Sequence, residues 1–334
     1  INLDTPANSR LVVRLRNEFH NCWSDCSANA QVMENAIIDF TNGITPTELN
    51  TNLVYSQAIR IVDGTLASGG NRYEDAQIAL WEFKTGNGLI AYDSSGVDPA
   101  IHLNLSPEVT WFGGWGITTN GGRAQGLTTA SNKLHDVLQE SGEFSIEAWV
   151  IPANVTQEMA RIISYSSNEQ RSNFALQQTL YDYDFRLRMG EDGNGNQSTD
   201  LNGEPALSTP SNLEVLQATL QHVVATYSPV DGRRIYVNGD LVTQVDPVPG
   251  GTFVDWERGF ALVIGAEAGG TFGFDGTVRL AAIHRRALTD EQVDQNFEAG
   301  VGEKFYMLFD ISDIIEAQAQ SSFILFEAQQ YDSY

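Results

Sequence analysis

Two cysteines in 334 residues, Cys22 and Cys26, are too few for a disulfide framework, so a fold of this length has to be held by a buried apolar core. Four positions apart, the pair admits one local bridge or two unpaired thiols. A zinc cage needs more ligands, and covalent haem attachment needs Cys-x-x-Cys-His where the chain reads Cys22-Trp-Ser-Asp-Cys26-Ser27. Long hydrophobic runs are also missing. Residues 144–151 form one of the longest, far below the ~20 residues of a membrane-spanning helix, which argues against membrane insertion. Basic charge is scarce: 19 Lys and Arg stand against 43 Asp and Glu, for a net charge of -24. That balance repels nucleic-acid phosphates and anionic membrane surfaces. The charged partners it favours are cations, and carboxylates and amides dispersed through glycine-rich loops suit calcium. Solubility is the plainer use of the same charge.

What the chain does contain falls into two textures. In residues 3–40 apolar side chains recur at helical spacing, with Leu11, Leu15 and Phe19, then Val32, Ala36, Ile37 and Phe40. Residues 1–48 are therefore expected to form a helical N-terminal segment, too small to bury a core alone, that packs on the following domain or is the end of another domain. Beyond them come short alternating runs between Gly, Asn and Asp turns, starting at 58–62 and 76–83. Further strands are expected at 144–151, 162–165, 174–178, 185–188, 222–227, 234–237, 241–245, 262–264 and 276–284. Many short strands at regular spacing predict an all-β, antiparallel jelly-roll β-sandwich over 49–302. Asn238-Gly239 between two strands is the strongest short hairpin signal. Residues 288–297 read as a short helix with Thr289 as N-cap and Gly300 beyond its end. Residues 303–334 read as the start of a further β segment cut from something longer.

The order and spacing of eight segments carry a family likeness. They are Leu80-Trp-Glu-Phe83, Tyr92-Asp-Ser-Ser-Gly96, Phe144-Ser-Ile-Glu-Ala-Trp-Val150, Gln221-His-Val-Val-Ala-Thr-Tyr227, Ile235-Tyr-Val-Asn-Gly239, Val263-Ile-Gly265, Phe274-Asp-Gly-Thr277 and His284-Arg-Arg-Ala-Leu-Thr289. Together they resemble the laminin-G-like (LamG, concanavalin A-like lectin/glucanase) domain over about two-thirds of the chain. The residues themselves agree with a sandwich strand: Phe144, Ile146, Ala148 and Val150 face one way, Glu147 and Trp149 the other. His222, among apolar strand residues, reads as a core or hairpin histidine. The helical start with its cysteine pair lies outside the resemblance.

Loops similar to two of these segments often share one calcium in LamG-like domains. The resemblance therefore implies a site at Asp93 and Asp275 with the carbonyl of Gly96. An Asx-turn at Asp93 and a hairpin cap at Asp275 are the plainer uses of both. Asp192-Gly-Asn194-Gly-Asn196 matches the first half of an EF-hand loop, but Gln197 stands where that loop needs Gly and Gly203 where it needs Glu. Sugar rings stack on exposed aromatics, which singles out Trp111-Phe-Gly-Gly-Trp115 and Tyr181-Asp-Tyr183 as candidate ligand residues. Glycoside hydrolysis on this fold commonly uses Glu-x-Asp-x-x-Glu on one strand; Glu74-Asp75 and Asp255-Trp-Glu257 do not match. Gln221 and His222 adjoin rather than alternate as a lyase would need, and there is no nucleophile elbow. The expected function is a non-catalytic, calcium-assisted recognition or cell-adhesion module of an extracytoplasmic protein (secreted, cell-surface or periplasmic), binding a glycan or a protein partner. A structural unit that self-associates or joins other domains is the alternative, and a divergent polysaccharide hydrolase or lyase the third.

Overall fold

The computed structural model describes residues 2, 5–18, 22–43, 56–60, 72–113, 115–191, 198–242, 246, 248, 250–301, 304–310 and 323–329. The chain divides into two compact units, Ile1–Leu66 with Lys304–Tyr334 and Ala67–Glu303.

The smaller unit begins with helices α1 (Arg10–Arg16) and α2 (Cys26–Gly43), and Cys22 and Cys26 are bridged where α2 starts. The helices meet along Val12 and Leu15 on α1 and Ala30, Met33 and Ile37 on α2. Spacings of three and four put 30, 33 and 37 on one stripe. Of the stripe expected from Val32, Ala36, Ile37 and Phe40, Ile37 is buried, while Val32 and Phe40 are exposed. Phe19 lies outside the described residues. Arg16 ties α1 to Glu34 at 2.6 Å. Strand β1 (Ser56–Arg60) also belongs to this unit.

The larger unit opens with the short strands β2 (Gln77–Trp81), β3 (Ile90–Ala91), β4 (Leu103–Leu105), β5 (Thr110–Trp111), β6 (Ile117–Thr118) and β7 (Ala124–Gly126). Helix α3 (Thr128–Ser141) leads into the long strands β8 (Phe144–Pro152), β9 (Ala160–Asn168), β10 (Arg171–Thr179) and β11 (Asp182–Leu187). Then follow β12 (Leu207–Ser208), β13 (Gln221–Ser228), β14 (Gly232–Val237), β15 (Asp240–Leu241), β16 (Ala261–Ile264), β17 (Gly276–His284) and helix α4 (Asp290–Ala299). One sheet runs β15-β14-β13-β8-β17-β6-β5 with β2 also on β17; the other runs β12-β11-β10-β9-β16-β7-β4-β3. The expected antiparallel sandwich is what forms, with one apolar core between the sheets.

Alternation decides which side chains enter that core. Phe144, Ile146, Ala148 and Val150 point into it, and Glu147 and Trp149 point out. The outer face of the first sheet is buried as well, because Val293 and Phe297 of α4 pack on Val224, Tyr236 and Trp149. Helix α4 starts as its sequence demands: Thr289 and Gln292 exchange side-chain-to-backbone bonds in a capping box. Asn238 (φ 53°) and Gly239 (φ 89°) both take left-handed conformations between β14 and β15, the pattern of a type I′ hairpin.

After the sandwich, β18 (Lys304–Asp310) pairs with β1 and with β19 (Phe323–Gln329) in a three-stranded antiparallel sheet of the smaller unit. The segment near residue 58, read from sequence as the first sandwich strand, thus pairs with the C-terminal segment read as a separate piece. Among the described residues no helix is long and apolar enough to cross a membrane.

Candidate binding site

A cleft lies at the end of the sandwich where β8 begins and β13 ends. It encloses about 490 Å³ between Gln139 on α3, Gly142 just after it, Glu191 after β11, Pro229 after β13, and the 250–254 loop. Glycines allow the loops to close on each other. A Cβ on Gly251 would sit 2.7 Å from the Gly190 carbonyl, and one on Gly190 would sit 2.9 Å from Asp255 Oδ2. Hydrogen bonds then lock the loop: Tyr227 Oη donates to Gly251 O (2.6 Å) and accepts from Gly251 N (2.9 Å), Gly190 N donates to Thr252 O (2.8 Å), and Gln139 Nε2 donates to Phe253 O (2.7 Å). Beneath it Phe253 stacks on Trp256 at 4.5 Å. Buried Arg233 donates through Nε and Nη2 to the two oxygens of Asp246, both at 2.9 Å, and through Nη1 to Phe185 O and Pro205 O. The result is a pre-formed hollow. Its walls are apolar at Pro229 and Val254, the latter 72% exposed, and Thr252 and Glu191 add a hydroxyl and a carboxylate at the rim.

The residues singled out in the sequence are not gathered there. Asp93 is buried, and its Oδ1 accepts from Leu80 N (3.1 Å) and Ser95 N (3.0 Å), its Oδ2 from Ile101 N (2.9 Å) and Lys133 Nζ (3.2 Å). Burial pushes this carboxyl up, yet the backbone donors prevail and hold it below its ordinary value. Burial likewise lowers Lys133, against the attraction of Asp93. Asp275 is exposed at the start of β17, its carbonyl bonded to Gln157 Nε2 at 2.8 Å. Leu80, the Asp93 partner, stands opposite Ala282, seven positions along the same strand, which separates the two carboxylates by roughly 20 Å at ~3.3 Å per residue. Asp93, Gly96 and Asp275, expected to share one calcium, are thus not gathered around one point, and both oxygens of Asp93 are engaged by protein donors. Among the described residues no group of three His, Cys, Asp or Glu is placed to hold a metal. Asp93→Asn is expected to cost about 3–5 kcal/mol, as breaking a buried pair does, by the same amount in excess calcium and in a chelator when thermal melts are compared.

The aromatic candidates divide between the two sheets. Trp111 is half-buried on β5, its Nε1 donating to Gly88 O at 2.8 Å. Trp115 turns with φ 70° under the Lys84 ammonium, 4.5 Å from the ring centroid, while its carbonyl accepts from Arg279 Nε at 2.6 Å. Both stay half-exposed at an edge of the first sheet. On the second sheet Tyr181 is half-buried against the core. Tyr183 faces the core itself, its Oη donating to Gln221 at 2.9 Å, so its assignment as a ligand residue is corrected: an inward strand position buries it completely. Asp192, Asn194 and Asn196 lie outside the described residues.

Sequence reasoning missed the polar centre of the first sheet. Glu147 has no exposed surface, and its oxygens accept from Arg72 Nη2 (2.7 Å), His222 Nε2 (2.9 Å), His284 Nε2 (2.9 Å) and Asn296 Nδ2 (2.9 Å). The rings of Trp149 and Phe297 flank His222. This network pins α4 and the 72–73 segment to the sheet, since Asn296 Oδ1 also accepts from Tyr73 N at 2.6 Å. A carboxylate between apolar neighbours on a strand, with a histidine on another, was the available signal.

Two antiparallel sheets over one core, with loops closing a hollow at one end, define a lectin-like β-sandwich. The family model described as the concanavalin A-like lectin/glucanases superfamily matches residues 121–294, more than half of the chain, and the protein belongs to that superfamily. Similar solved structures include botulinum neurotoxin type C, whose cell entry depends on interaction with two ganglioside molecules (14% identity, 68% of this chain and 51% of that chain, TM-score 0.48). They also include the binding domain of botulinum neurotoxin DC in complex with SialylT (13%, 68% and 52%, 0.46) and the botulinum neurotoxin serotype D binding domain (12%, 75% and 70%, 0.47). The chain spans about half the length of the first two. No curated protein matches it.

Proposed function

We propose that the sandwich is a non-catalytic recognition module that binds a glycan in the loop-end cleft. The observation that carries this reading is the hollow itself, about 490 Å³, within the ~300–1,000 Å³ range of small-ligand sites. Its make-up suits a sugar ring: Pro229 and Val254 offer apolar contact to the C–H face, while Thr252, Glu191 and exposed glycine backbone offer hydrogen bonds to hydroxyls. Membership of a lectin-containing superfamily supports the same reading. The best-placed carboxylates elsewhere in the sandwich, Glu147, Asp93 and Asp246, are occupied by the protein's own donors, which supports a binding role over acid–base chemistry. The Cys22–Cys26 bridge supports an extracytoplasmic setting, where disulfides persist.

A glycan panel followed by calorimetric titration tests the reading. Val254→Asp, at an exposed position, is expected to change stability by no more than about 0.5 kcal/mol while weakening glycan binding about tenfold through loss of an apolar contact at the cleft. Binding that survives this change, or a panel in which no glycan binds, would sink the assignment.

A further inference from the structure

The charge around the loop-end cleft is of one sign. Of the described residues that line it, only Glu191 is ionisable. The stretches that border it, 139–143, 189–191, 228–232 and 250–255, contain Glu140, Glu143, Glu191, Asp231 and Asp255 and no Lys, Arg or His. Glu143 is paired with Arg286, and Asp231 with Arg234 at 2.7 Å. The other three, Glu140, Glu191 and Asp255, are exposed. Asp255 Oδ2 comes up against Gly190, which brings a second carboxylate beside the residue next to Glu191.

The arginines of the neighbouring elements do not offset this charge. Arg188 follows Leu187 and precedes Met189, both in the core, so it stands on the outer face of the sheet, where its Nη1 donates to Glu257 at 3.2 Å. Arg233 is buried and spends its donors on Asp246, Phe185 O and Pro205 O. Backbone amides at glycines can also hold an anion, yet those of Gly142, Gly190 and Gly251 donate to Leu138 O, Thr252 O and Tyr227 Oη. The Gln139 amide likewise donates to Phe253 O. Beneath the hollow, Phe253 and Trp256 form an apolar floor that screens charge less than water does.

We infer that the cleft selects its glycan by charge: it takes a sugar unit free of carboxylate, sulfate or phosphate, and Glu191 is the residue that sets this selection. The inference rests on the reading of the cleft as a glycan site and says which glycans enter it. An acidic sugar brings its charge up to carboxylates with no cation to receive it, and like charges juxtaposed at an interface cost about tenfold in affinity or more. A sugar ammonium gains an exposed ion pair with Glu191, worth roughly two- to fivefold. The net charge of -24 extends the same bias to the approach of a ligand.

Calorimetric titration of the intact protein with two matched series tests the selection: glucose, glucosamine and glucuronate, and galactose, galactosamine and galacturonate. In at least one series the neutral sugar is expected to bind saturably, the amine roughly two- to fivefold tighter and the acid about tenfold weaker or worse. These differences are expected to narrow as salt is raised. Glu191→Gln is expected to remove the advantage of the amine and recover part of the acid's affinity, and Glu191→Lys to place the acid above the amine. Both changes fall at an exposed position and are expected to leave the melting temperature unchanged. An acid that binds as well as its neutral partner, or a Glu191→Lys variant that keeps the wild-type order, overturns the selection and leaves the cleft a glycan site. If Glu191→Lys melts lower, Glu191→Gln decides: an unchanged ratio of amine to acid affinity there overturns the selection. No heat from any of the six sugars removes the glycan reading of the cleft, and the selection with it.

Discussion

Replacing Glu147 by alanine is expected to cost the sandwich about 3–5 kcal/mol, the usual result of removing one partner from a buried charge network. The fall would be seen as a lower denaturation midpoint at unchanged denaturant dependence. Arg72, His222, His284 and Asn296 all converge on this one side chain, so its loss leaves four buried donors unmet. A pH dependence accompanies it. Burial pushes Glu147 up, but the Arg72 charge and the hydrogen bonds from His222 and His284 outweigh it and hold the carboxyl well below its ordinary 4.5. Burial holds His222 below its ordinary 6.5. Under acid the unfolded chain takes up protons at both positions before the folded chain does, so stability falls as pH falls. The wild type is expected to weaken from about pH 6.5 as His222 resists protonation, and again below pH 4.5 as Glu147 does. In Glu147→Ala the lower step shrinks. A loss under about 1 kcal/mol, no more than an ordinary substitution, would show that the network does not hold α4 to the sheet.

Trp256→Ala is expected to lower stability by about 3–5 kcal/mol, as large-to-small aromatic changes do in a core, and to abolish binding in the loop-end cleft. The indole is 4% exposed and lies against Phe253, Phe144, Phe174 and Tyr165. Its Nε1 donates to Arg188 O at 2.7 Å, joining the 250–256 loop to the end of β11. Removing it frees Phe253, which forms the floor of the cleft. Trp256→Phe retains most ring contacts but leaves the Arg188 carbonyl without its donor, for a smaller loss of about 1–3 kcal/mol. Calorimetric unfolding and glycan titration on the same samples separate the two effects. Full glycan affinity in Trp256→Ala at a temperature where it remains folded would move the binding site away from this cleft.

The long strands were legible because alternation with period two marks both faces of each one. Residues 144–150 divide into core and outer sets as read. Helix α4 and the Asn238-Gly239 turn were legible for a similar reason, since capping and left-handed backbone are properties of adjacent residues. Helix α3 was not read, although Ala130, Leu134, Val137 and Leu138 follow helical spacing and Gly142 terminates it at φ 69°. Strands of two residues such as β3, β5 and β12 carry no period to detect. On α2 the apolar residues permitted two stripes, and the buried one was decided by where Val12 and Leu15 of α1 lie.

The candidate sites were less legible than the fold. The Asx-turn named as the plainer use of Asp93 is present, closed by Ser95 N, but its charge partner, Lys133, is forty positions away. Tyr183 was separable from Tyr181 only by where the strand begins: the first lies within β11 and is fully buried, the second lies in the turn before it and is half-buried. The loop-end cleft draws its walls from α3 and from the ends of β11, β13 and the 250–254 loop, four stretches that share no motif.

The sequence by itself determined the sandwich, its long strands, the capped helix, the hairpin turn and the poverty of basic charge, because each follows from residues within a few positions of one another. Only the tertiary structure decided which charges meet. The donors to Glu147 come from 75, 75, 137 and 149 positions away, and Arg161, Gln177 and Asp184 share a row solely through strand register. Periodicity places a side chain on a face, but the partner it finds there is set by the pairing of distant strands, which the local pattern does not encode.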